Sequence, residues 1–72
     1  MIKTIVKIEG MMCGMCEAHI NDAIRNSFDI KKVKSSHRKG QTIITSSESI
    51  DKDKLKEVID KTGYHFISAE EK

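Results

Sequence analysis

The sequence predicts an α+β sandwich, with two helices on one face of a four-stranded antiparallel sheet, on three observations. Several stretches pair apolar or β-branched residues with polar ones at a period of two, the mark of strands half-buried against a core. Two others repeat apolar residues at spacings of three and four, the mark of amphipathic helices. Glycines and short polar clusters separate them, and the chain has no proline.

Thr4, Val6 and Ile8 alternate with Lys3, Ile5 and Lys7, which sets a strand over about residues 2–9, punctuated by Gly10. From Cys16 onward, Ile20, Ala23, Ile24 and Ser27 or Phe28 line one side of a helix. Glu17, Asn21, Asp22 and Arg25 lie between them, and the helix ends near Phe28. Ile30 to His37, centred on Val33, and the β-branched run Gln41-Thr42-Ile43-Ile44-Thr45 read as a hairpin turning at Arg38 to Gly40. Ser46 to Ser49 is a loop. Asp51 then caps a second helix whose stripe is Leu55, Val58, Ile59 and Thr62, stopped by Gly63. His65 to Ala69 is a short last strand. The order strand, helix, strand, strand, helix, strand is the ferredoxin-like βαββαβ arrangement.

Seventy-two residues make one domain, expected to span 1–72. A domain this small buries only about 60% of the surface of its unfolded chain, so its stability margin is thin. The longest uninterrupted apolar run is Met11 to Cys13, far short of the roughly 20 residues of a spanning helix, so no membrane-embedded segment is expected. The first residues alternate with Lys where a secretory leader would be continuously apolar, so the expected location is the cytoplasm. A net charge of +2 with only Phe28, Tyr64 and Phe66 as aromatics argues against nucleic acid as a partner.

Each element of such a chain reverses direction, so the first, third and fifth connections share one end of the domain. Gly10 to Met15, Arg38 to Gly40, and Gly63 with Tyr64 are therefore expected together. The first of these, Gly10-Met11-Met12-Cys13-Gly14-Met15-Cys16, carries the chemistry. Two thiols three residues apart, running from a loop into the first turn of a helix, can point at one atom. Thiolate is the metal-binding form, and the amides of a helix N-terminus favour it at Cys13 and Cys16. Soft thiolates select Cu(I), Zn or another soft ion. A structural zinc site needs four ligands, and no second Cys or His pair stands at standard spacing, so low-coordinate Cu(I) fits two sulfurs better. No Ser, Thr, Asp or Asn precedes this helix, an omission worth about 1 kcal/mol, which metal ligation is expected to offset by ordering the helix start.

Two other chemistries fit the thiol pair. A buffer or carrier for Zn, Cd or Hg(II) would use the same ligands. A small thiol oxidoreductase would also present a CxxC pair at a helix start, although no Trp or Pro stands beside this one. Each of Met11, Met12 and Met15 could offer a thioether ligand, but Met11 reads as a packing residue and Met12 and Met15 as exposed partner contacts. Tyr64 either plugs the end of the core or tunes the site from its outer shell. Among the histidines, His19 reads as a solvated helix residue, and His37 and His65 as strand residues without a chemical role. His37 and His65 nevertheless stand beside connections at the thiol end. Lys31, Lys32, Lys34, Arg38 and Lys39 place five positive charges within nine residues with no acid. Such a run protects an edge strand, and Arg38 and Lys39, at the thiol end, are candidates for steering an acidic partner.

With these residues in view, the chain resembles the heavy-metal-associated domain family, and within it the free-standing bacterial copper chaperones. The GMxCxxC motif stands as Gly10, Met11, Cys13 and Cys16, and Gly63-Tyr64 precedes the last strand; the resemblance runs over about residues 2–69. It implies that Cys13 and Cys16 bind Cu(I), that Met11 packs beneath the loop as a tether and that Tyr64 lies close to the ion. It also implies that the protein is a carrier and not an enzyme. The ion would pass to the metal-binding domain of a copper-transporting P-type ATPase or to a copper-responsive regulator, and two copies could share it as a metal-bridged homodimer. Ser35, His37 and Ser46 stand where the family is apolar, and His65 where it often has an acid. Each buried hydroxyl costs on the order of 1–3 kcal/mol unless it finds a hydrogen bond, so a metal-free form of modest stability is expected.

Overall fold

The computed structural model describes residues 1–10 and 14–72. Its elements are β1 (Ile2–Glu9), α1 (Gly14–Ser27), β2 (Lys32–Ser36), β3 (Gln41–Ser46), α2 (Lys52–Lys61) and β4 (His65–Glu71). The four strands form one antiparallel sheet in the order β2-β3-β1-β4, the ferredoxin-like arrangement that the element order predicts.

The period of two in β1 decides which face is covered. Thr4, Val6 and Ile8 are buried, while Lys3 and Lys7 are exposed on the other face. Opposite them Thr42, Ile44 and Ser46 of β3 face the core, as do Val33 and Ser35 of β2. From the helix layer, Ile20 and Ile24 of α1 and Leu55 and Ile59 of α2 are fully buried against this surface. Helix α1 packs over β2, α2 packs over β4, and the two helices touch.

Asp51 caps α2 as its sequence position requires, its Oδ1 accepting from the backbone N–H of Asp53 at 2.9 Å and of Lys54 at 3.4 Å. Thr62 closes the other end of α2, and Gly63 follows at φ +92°, a conformation open to glycine.

Three sequence expectations are corrected. Ser46 belongs to β3 and not to the loop, because it pairs with Ile2 and its hydroxyl donates to the Glu48 carbonyl at 2.6 Å. Strand β4 runs to Glu71, past Ala69, because the β1 ladder continues to hold it; beyond it Lys3 and Lys72 exchange both backbone hydrogen bonds. His37 lies in the turn between β2 and β3, not in a strand.

The buried serines meet the condition set for them, a hydrogen bond each. Ser35 Oγ donates to Asn21 Oδ1 at 2.6 Å and lies 2.9 Å from Thr42 Oγ1, so Ser35 and Ser46 both have partners that offset their burial. Among the described residues, the buried hydroxyl without a hydrogen bond is that of Thr4.

Candidate metal centre

The end of the domain expected to gather three connections does so. At Gly10, φ is +104° and a Cβ would stand 3.3 Å from Tyr64 Cδ1, so the residue opening the thiol motif lies against the ring that follows α2. The Gly40 carbonyl accepts from the Ile8 amide at 2.8 Å, which draws the β2–β3 turn to the end of β1. His65 pairs with Glu9 across the ladder. The first, third and fifth connections thus meet around the entrance to α1.

Of the motif residues, Met11, Met12 and Cys13 lie outside the described residues. Gly14 begins α1, and its neighbour Met15 is exposed, as a partner contact requires. Cys16 is half-buried in the first turn of α1 and packs against the core, as does Tyr64. The helix carries Glu17 in that same first turn. Among the described residues no three His, Cys, Asp or Glu side chains converge as a metal site would need, so the metal reading rests on the paired thiols of the motif.

One feature of this end was missed in the sequence. Glu17 Oε2 accepts from the His37 backbone N–H at 2.8 Å and lies 2.6 Å from His37 Nδ1. The backbone hydrogen bond, then the imidazole contact, hold the Glu17 carboxyl below its ordinary pKa near 4.5, against a smaller opposing effect of burial. The pair ties the first turn of α1, beside Cys16, to the β2–β3 turn. Its members stand 20 residues apart in sequence, and the only signal was the place of His37 beside the third connection.

The remaining candidates lie outside this contact. His19 is exposed on α1 and His65 is exposed at the start of β4. Arg38 and Lys39 are exposed in the turn that His37 opens, with the Lys39 amide 3.4 Å from Ser36 Oγ. Strand β2 is indeed an edge strand, so its lysines stand where they hinder edge-to-edge pairing.

A βαββαβ sandwich that brings Gly10, a helix start bearing Cys16 and Tyr64 to one end, in a sequence with a CxxC motif, defines a class of small metal-handling domains. The sequence pattern described as the heavy-metal-associated domain matches residues 5–65, and the chain belongs to that family. Over 71 residues the chain is 31% identical to a mercuric reductase of Lysinibacillus sphaericus, a match that covers 99% of this chain and 13% of that protein. The chain thus spans only a small part of the length of this relative.

Among solved structures, a CopZ metallochaperone superposes with a TM-score of 0.81 at 24% identity, over 90% of this chain and 98% of that one. A yeast copper transporter domain, Ccc2a, gives 0.80 at 23% identity, over 94% and 97% of the two chains. Oxidised MerP from Ralstonia metallidurans gives 0.76 at 19% identity, over 93% and 96%. At these identities the likeness establishes the shared fold. No helix among the described residues is long and apolar enough to cross a membrane.

Proposed function

We propose that residues 1–72 act as a single cytoplasmic carrier domain that holds one Cu(I) between the thiolates of Cys13 and Cys16. The reading rests on one observation above the rest: a member of the heavy-metal-associated family presents Cys16 in the first turn of a helix at the end where Gly10 meets Tyr64. A helix start favours thiolate, and two soft sulfurs match a low-coordinate soft cation. Met11 is the tether beneath the loop, Tyr64 the outer neighbour of the ion, and Met12, Met15, Arg38 and Lys39 meet the receiver.

The ion is cargo. It moves when a thiolate of the receiving protein joins the two cysteines in a three-coordinate intermediate and Cys13 or Cys16 then lets go, so copper is never released to water. The receiver is a metal-binding domain of a copper-transporting P-type ATPase or a copper-responsive regulator, and the protein itself is no enzyme. The structural likeness to CopZ and to the yeast copper transporter domain supports copper as the cargo.

Hg(II) is the second reading, favoured by the mercuric reductase relative, since the same pair of thiolates suits that ion. Anaerobic titration of the wild type and of the Cys13→Ser, Cys16→Ser double variant, against a chromophoric Cu(I) chelator and with Zn and Hg(II) in parallel, tests both. Tight binding of about one Cu(I) per chain, lost in the variant, is expected from two thiolate ligands. Cu(I) binding unaffected by loss of both cysteines would overturn the proposal, and effective binding of Hg(II) alone would move the cargo to mercury.

A further inference from the structure

The net charge of +2 conceals a one-sided distribution. Two acids and one base on α1, and three acids and four bases on α2, leave the helix layer neutral. The opposite face of the sheet carries no helix. There Lys3 and Lys7 of β1 and Lys32 and Lys34 of β2 are exposed, and the outward positions of β2 and β3 hold no acid. The acids of this face are Glu9, at the thiol end of β1, and Glu70 of β4, which pairs with Ile5.

This face is not flat. Two adjoining hollows share Lys34 and Ile43: one reaches Lys39 and Gln41 near the β2–β3 turn, and the other reaches Lys3, Lys32 and Thr45 at the far end. Ile43 pairs with Ile5 across β1 and β3, and both are half-buried, so an aliphatic strip lies between rows of ammonium groups. The trough follows β2 over about 13 Å, the length of about four extended residues.

We propose that the outward face of β2, β3 and β1 is a docking trough for an acidic, extended protein segment. Its carboxylates meet Lys3, Lys32, Lys34 and Lys39, and one aliphatic side chain rests on Ile43. Charge complementarity selects the occupant. A lipid surface is a plane and would meet the lysine tips while leaving the hollow above Ile43 unfilled. A nucleic acid would find no aromatic side chain on which to stack, since Phe28, Tyr64 and Phe66 all pack against the core. The trough does not involve the cysteines and is distinct from the receiver contacts at the thiol end, apart from Lys39.

The test is an amide NMR titration of the full metal-free chain with a short, end-blocked peptide of Glu and Asp around a central Leu. Shift changes concentrated in Lys32–Ser36 and Gln41–Ser46 are expected, with affinity falling at least about tenfold between low salt and about 0.15 M salt. Lys32→Ser with Lys34→Ser should weaken binding by a similar factor. Lys52→Ser with Lys56→Ser, on the helix layer, should leave it unchanged. Shift changes centred on α1 or α2, or equal losses in the two lysine pairs, would overturn the proposal, and the wild-type shift map decides even if a variant folds poorly. Phosphatidylserine vesicles and a single-stranded oligothymidine run in parallel should bind more weakly than the peptide; tighter binding of either through the same lysines would also overturn it.

Discussion

Helices α1 and α2 follow sequences of opposite kinds. The start of α2 is closed by its own chain: Asp51 Oδ1 accepts from the amides of Asp53 and Lys54. The start of α1 follows Gly10-Met-Met-Cys13, which offers none of the ordinary capping side chains, and its first turn carries Cys16 and an exposed Met15. What holds the first turn of α1 from the side is Glu17, bonded to His37 of the β2–β3 turn. A helix start closed by its own carboxylate is finished as structure. One that carries thiols in its sequence has amide dipoles that favour thiolate and so favour a metal.

Three substitutions sharpen this contrast. Gly10→Ala, at the approach to α1, should have the largest effect. A φ of +104° is strained for any side chain, and the new Cβ would press on Tyr64 Cδ1 at 3.3 Å, so a loss of about 1–3 kcal/mol in chemical denaturation is expected. Gly14→Ala is its control, since a Cβ there meets nothing within 4 Å and α1 prefers Ala, and no loss of stability is expected. Asp51→Ala comes next: removing the α2 cap should cost about 1 kcal/mol while leaving metal affinity unchanged.

Glu17→Gln should have the smallest effect on stability near neutral pH, and its signature is the pH dependence. Because the carboxyl is held below its ordinary value near 4.5, its contribution is present above that pH and is lost as pH falls through the lowered value. Metal-free wild type should therefore lose more stability than the variant on acidification from just above pH 4.5 downward, followed by thermal denaturation at each pH. Equal slopes in the two proteins would show that the Glu17–His37 contact carries no weight in solution.

What was legible in the sequence was what depends on near neighbours. The phase of β1, the buried faces of Ile20 and Ile24 and of Leu55 and Ile59, the Asp51 cap and the Gly63 stop all follow from spacings of two to four residues. The gathering of Gly10, the β2–β3 turn and Tyr64 followed from the element order alone. What was not legible depends on partners distant in the chain. Ser35 is stabilised by Asn21 and Thr42, Glu17 is held by His37, and β4 continues to Glu71 because β1 is there to pair with it. Thr4 reads as an ordinary β-branched strand residue, and only the packed sheet reveals that its hydroxyl is buried without a hydrogen bond.

The contrast between the two helix starts is tested most directly by amide hydrogen exchange on the metal-free and Cu(I)-loaded protein. One equivalent of Cu(I) should slow exchange in the first turn of α1, around Cys16 and Glu17, more than at Asp53 and Lys54 of α2, whose cap is already in place. If copper binds and the two helix starts respond alike, or if α2 responds more, then the ion does not complete the start of α1 and the thiol pair is not the site that holds it.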